Sequence, residues 1–101
     1  MRVSLIIKRE PFDNIRNGTK TKEYRDISKR NASLLCYVGE NDTFLGFKPI
    51  TEIMLYNGYN KNRPSMLVEC TGIAIETDKD DQGEYEIFVL SIGKVLKVEN
   101  C

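Results

Sequence analysis

Apolar, β-branched residues in this chain come in short runs closed by Gly, Pro, Asn or Asp, and that punctuation confines it to a mainly β fold. Val3 to Ile7 reads as a buried strand, Ser33 to Gly39 as a second and Thr51 to Asn57 as a third. Ser65 to Thr77 is longer, and Gly72 inside it predicts a bulge or a barrel corner. Asp80-Asp81-Gln82-Gly83 has the composition of a hairpin turn, after which Glu84 to Leu90 pairs back. Ile92 to Val98, beyond Ser91, gives a last strand. Pro11 suits a first helical position, Phe12 and Ile15 share one helix face, and Gly18 can end the helix through a left-handed turn. A short helix is therefore expected over about residues 11–17. Residues 27–32 fit a loop or a weak turn of helix. Glu40 to Lys48 reads as a loop, with Phe44 and Phe47 available to plug a barrel end. These elements predict an α+β, mainly β, single domain over residues 1–101. The expected architecture is a small barrel of about six strands with one or two short helices.

Histidine is absent, which removes Ser-His and Cys-His dyads, imidazole acid–base chemistry and His-ligated metals. Catalysis, if present, falls to Lys, carboxylate, Tyr, Thr or Cys. Cys36, Cys70 and Cys101 are widely spaced, with no CxxC pair, so neither a zinc site nor a disulfide framework is expected. Cys36 and Cys70 lie in apolar runs and are expected as reduced core residues, with Cys101 at a frayed terminus. No apolar run approaches the roughly 20 residues a bilayer-crossing helix needs. The N-terminus lacks the pattern of a secretory signal, so the expected compartment is the cytoplasm, without a membrane partner.

Net charge is zero, yet unevenly spread. Residues 1–30 hold nine Lys or Arg against four acids, whereas residues 76–86 hold six acids against Lys79. The basic segment can attract phosphate while the acidic one faces away. Zero net charge argues against long, charge-driven duplex binding and fits a contact with one or a few nucleotides.

Only Gly18 to Asp26 carries a candidate chemical logic. If Glu23-Tyr24-Arg25 is extended, Glu23 and Arg25 share a face and Tyr24 takes the other, where it is expected as a core anchor. Lys20 offers a point charge for phosphate, and Arg25 a planar fork for phosphate or a base edge. Glu23 can accept from an exocyclic amino group. The alternative is a surface Glu23–Arg25 ion pair, worth at most about 1 kcal/mol, beside solvated lysines. Tyr56-Asn57-Gly58-Tyr59, with Lys61 and Arg63 beyond, offers an aromatic beside positive charge. Tyr59 could there stack a splayed base, while Tyr56 is expected in the core and Asn57-Gly58 as an ordinary turn. Lys8 could line the same cleft or be solvated. The acidic stretch lacks the spacing of a calcium loop and reads as a solvated hairpin tip.

Ile6-Ile7-Lys8 leading into Pro11-Phe12 and Ile15, then Gly18-x-Lys20-x-x-Glu23-x-Arg25, resembles the signature of ASCH domains, small relatives of the PUA domain. Tyr56-Asn57-Gly58-Tyr59, Met66 to Ile75 with Gly72, and Ile92-Gly93-Lys94-Val95 agree with it, so the resemblance covers about residues 3–99. It implies a PUA-like β-barrel with a cleft beside the first helix. Gly18 would supply the turn there, and Lys20, Glu23 and Arg25 the polar lining. Members of that family are generally proposed to bind RNA, and some are enzymes acting on nucleosides or RNA. One branch hydrolyses the acetyl amide of acetylcytidine with a Lys, a Thr and a Glu. Lys20 matches that lysine, but Glu23 stands where that threonine would be, and the nearby Thr21 is off-register.

The expectation is therefore a monomeric RNA- or nucleotide-binding module without cofactor or metal. Its ligand residues would be Gly18, Lys20, Glu23, Arg25, Tyr59 and Lys8. The rivals are a small hydrolase of modified cytidine or a metal-independent ribonuclease, with Lys20 as base and Glu23 as proton shuttle, and a protein-binding adaptor with an inert cleft.

Overall fold

Alternation fixes the first strand. In a computed structural model, which describes residues 1–100, β1 (Arg2–Ile7) turns Val3, Leu5 and Ile7 into the core and Arg2 and Ser4 to solvent. It pairs in parallel with β5 (Glu52–Asn57), Leu5 standing beside Leu55. A parallel pair needs a long crossover. Here the crossover carries α1 (Arg9–Arg16), β2 (Lys22–Asp26), α2 (Lys29–Leu35), β3 (Cys36–Val38) and β4 (Phe44–Phe47). The chain then runs antiparallel from β5 into β6 (Ser65–Asp80), turns, and returns as β7 (Gly83–Glu99).

The main sheet has the order β1-β5-β6-β7-β2, and β3 and β4 form a separate two-stranded ladder. The sheet is mixed and, by backbone pairing, open. Its edge strands, β1 and β2, share no ladder, but the Arg25 side chain on β2 donates to the Ile6 carbonyl of β1 at 3.0 Å. One guanidinium thus spans the gap where a barrel would close.

One continuous core runs through Leu5, Phe12, Ile15, Leu35, Ile53, Leu55, Met66, Val68, Phe88 and Leu90. Phe12 and Ile15 enter it from one face of α1. That helix begins at Arg9, two residues before the expected start. Pro11 still sits in the first turn, where the missing N–H has no helical acceptor to lose. Gly18 ends the helix at φ +85°, donating to the Ile15 carbonyl at 3.2 Å, as its position predicts.

Four expectations need correction. Ser33 to Leu35 is helix, not strand, because Ser28 caps α2 by accepting from the Asn31 N–H at 3.1 Å. Only Cys36 to Val38 is extended, and Tyr37 and Val38 are exposed. The expected loop at 40–48 contains β4, whose Phe47 packs on the core while Phe44 stays half-exposed against its ring at 5.2 Å. The last two expected strands are a single one, since β7 runs through Ser91 without a break. Tyr24 faces out, not in.

The hairpin turn at 80–83 and the irregularity at Gly72 are both present. Asp80 accepts from the Gln82 N–H at 2.8 Å, and pairing shifts register three times between Leu67 and Gly72. No helix among the described residues is long and apolar enough to cross a membrane.

Cys36 and Cys70 are buried and unpaired; Cys101 lies outside the described residues. Burial pushes both thiols above the ordinary range, with Lys48 pulling back at Cys36 and the Gly72 backbone at Cys70. The folded chain thus holds these protons more tightly than the unfolded one. Their contribution to stability is complete below the unfolded thiol pKa and is lost as pH rises past it. In a Cys101→Ser variant, an aromatic disulfide reagent should react slowly at pH 8 and quickly once urea is added. Fast reaction in the native protein would contradict the burial.

Candidate polar cleft between the sheet edges

β2 sets the geometry of the site. Antiparallel pairing places Glu23 beside Leu90, Tyr24 beside Val89 and Arg25 beside Phe88. Leu90 and Phe88 point into the core, so Glu23 and Arg25 point inward with them. Tyr24 stands over Val89 on the outer face. The expectation that Glu23 and Arg25 share a face is met; the expectation that Tyr24 is the buried one is reversed. A strand carrying two inward charges is stable only if each finds a partner.

Glu23 finds three. Its carboxylate, 9% exposed, accepts from Arg25 Nη2 at 3.3 Å and from the Tyr24 N–H at 3.1 Å. Lys20 Nζ lies 3.7 Å from Oε1, the oxygen that also takes the Tyr24 N–H, while Arg25 holds Oε2. Lys20 is placed there by the α1 terminus, where its N–H donates to the Asn14 carbonyl at 3.0 Å. Its ammonium also sits 5.2 Å from the centre of the Tyr24 ring. The surface ion pair of the alternative reading is instead a half-buried cluster of one carboxylate and two cations.

Two hollows flank Arg25, one of mixed lining and one mainly polar. The first, about 310 Å³, lies against the end of β1 and the start of α1 and is lined by Lys8, Pro11, Glu23 and Arg25. The second, about 480 Å³, lies against Ser4 to Ile6 and is lined by Arg25, Ser28, Arg30, Asn31 and Tyr59. Ile6, Arg25 and Asp26 border both, so the two share a wall. Of the six expected ligand residues, Lys8, Glu23, Arg25 and Tyr59 line this double cleft. Gly18 and Lys20 line neither half; they act behind it, through the turn and through Glu23.

None of the family models, curated proteins or solved structures compared with this chain matches it.

Arg30, Asn31 and Ser28 were missed by sequence reasoning. Their signal was the Ser28 cap, which places one face of α2 toward the cleft. Tyr59 projects at 83% exposure from a loop whose base is held. Arg63 stacks 3.8 Å above the Tyr56 ring and donates to the Gly58 carbonyl at 3.2 Å. Asn57 donates through its side chain to the Ile7 carbonyl at 3.2 Å and through its backbone to Pro64 at 2.9 Å. Tyr56 is accordingly half-buried under Arg63, not a core residue.

A third hollow, about 320 Å³, lies on the opposite face of α2. Ala32, Cys36, Val38, Phe44, Ile75 and Phe88 line it, and the Lys29–Asp42 pair, 3.8 Å apart, sits at its rim. Its lining is mainly apolar, with Ser28, Ser33, Lys29 and Asp42 adding polar groups but no guanidinium, so the planar donors able to grip phosphate or a base edge are on the Arg25 side. Among the described residues no cluster of three His, Cys, Asp or Glu is arranged to hold a metal ion.

Proposed function

We propose that this protein is a nucleotide- or RNA-binding module whose ligand lies in the cleft flanking Arg25. The observation that carries the reading is the guanidinium itself. It is held from behind by Glu23 and the Ile6 carbonyl and forms, with Ile6 and Asp26, the shared wall of two hollows that both carry charged groups. A planar donor fixed in this way is pre-organised for phosphate or a base edge. Lys8 on one side and Arg30 on the other add exposed positive charge, and Tyr59 adds an exposed ring.

The same reading takes the curled sheet as a PUA-like barrel of ASCH type, its edges joined by Arg25 in place of a ladder. The Gly18-x-Lys20-x-x-Glu23-x-Arg25 segment then builds the cleft from behind, and the module works as a cytoplasmic monomer. Free buried thiols fit a reducing compartment.

Lys8→Ala and Arg30→Ala should each weaken binding of a fluorescent single-stranded oligoribonucleotide several-fold at 50 mM salt, and less at 200 mM, as lost phosphate contacts do. Lys61→Ala, an exposed charge outside the cleft, should not. Parent-like anisotropy titrations for both cleft variants would end the assignment. The 3.7 Å approach of Lys20 to Glu23 also suits the hydrolase reading. Turnover of acetylcytidine or of labelled RNA, abolished by Lys20→Ala, would put an enzyme in place of the binder.

A further inference from the structure

We infer that the cleft is built for a single strand of at least two nucleotides, with Arg25 between them, and not for a mononucleotide. The inference rests on the nucleotide-binding reading and narrows its ligand. Each hollow is near the lower end of small-ligand pockets, roughly 300–1,000 Å³, so each suits one nucleotide unit. A mononucleotide would fill one and leave the other to water.

The hollows are stepped along β1. One is bordered by Ile6 to Lys8, the other by Ser4 to Ile6. That offset of two residues is roughly 7 Å at about 3.3 Å per residue. Bases stacked in a duplex strand advance only about 3.4 Å. Neighbouring bases set in the two hollows must therefore be pulled out of stack, the state in which single-stranded RNA is read. An unstacked base needs a new partner, and Tyr59 stands at the hollow that holds Arg30. The loop behind Tyr59 is pinned by Arg63 and Asn57 before any ligand arrives, so little ordering is left to be done on binding. Lys8, Arg25 and Arg30 then lie in sequence along the path, one cation in each hollow and one between. A duplex, with its bases turned inward, would offer Tyr59 nothing to stack.

The test compares the four nucleoside 5′-monophosphates with the matching dinucleoside monophosphates, which also carry a single phosphate. A tighter dinucleotide thus cannot owe its advantage to added charge. By calorimetry at fixed salt, at least one dinucleotide should bind about 5- to 150-fold more tightly than its mononucleotide, the span expected for stacking one base on an aromatic ring. The ratio should collapse toward one in Tyr59→Ala and persist in Tyr59→Phe. A ratio near one in the parent, or one unchanged by Tyr59→Ala, overturns the two-nucleotide site while leaving nucleotide binding in place. No binding of either kind overturns both.

Discussion

Phe88→Ala should lower the melting temperature by on the order of 20 °C, because it removes a ring on which three parts of the molecule rest. Phe88 is 1% exposed, stands beside Arg25 on β2 and Ile75 on β6, and floors the apolar hollow under α2. Deleting a buried Phe side chain costs about 3–5 kcal/mol, from lost transfer energy and from the void left behind. The hollow already opens next to the ring, so the new space can join it and admit water. That places the cost toward the lower end of the range. It is still a large share of the roughly 5–15 kcal/mol that holds a domain together. Phe88→Leu keeps most of the volume and should lose about 1.5 kcal/mol or less. Circular-dichroism melts of the three proteins decide it. A Phe88→Ala melt within a few degrees of the parent would mean that the ring is not packed as described.

Strands β1 and β5 were each legible because Val3, Leu5 and Ile7, and Ile53 and Leu55, are apolar residues at alternate positions in short runs. The end of α1 was legible because a positive φ at Gly18 is what glycine permits at low cost. α2 was not. Leu34-Leu35-Cys36-Tyr37-Val38 is a continuous apolar run that crosses a helix end into a strand, and periodicity cannot mark the change within so few residues. Local reasoning also failed at Tyr24. Alternation says that Tyr24 opposes its neighbours but not which side is interior, and hydropathy favours burying the ring. The outcome was set by partners far away in sequence: the Ile6 carbonyl and the Phe88 and Leu90 register of β7. Arg30 and Tyr59, 29 residues apart, meet for the same reason. The motif announced the charges that build the back of the cleft, while the groups that line its outer half arrive by topology.

Arg25→Ala should fail twice, in stability and in binding, and the two losses have one origin. Its Nη2 donates at once to Ile6 on the far edge of the sheet and to Glu23 on its own strand. Without it the Ile6 carbonyl loses a donor and the Glu23 carboxylate keeps only Lys20 and the Tyr24 N–H. Breaking a fully buried ion pair from one side costs about 3–5 kcal/mol. Arg25 and Lys20 are 23% and 24% exposed, so solvent screens part of that and about 2–3 kcal/mol is expected here. Arg25→Lys restores the charge but not the longer, rigid planar group that brings one nitrogen within reach of both acceptors, and should recover only part. Urea titrations measure this. Glu23→Gln removes the charge that needs Arg25, so Arg25→Ala should cost less in that background than in the parent, and a double-mutant cycle isolates the difference. Binding, measured far below each variant's melting point, should be lost in Arg25→Ala even where the protein is fully folded, because both hollows lose their common wall. Parent-like stability would show that the sheet edges do not depend on this side chain. Parent-like affinity in the folded variant would remove Arg25 from the site.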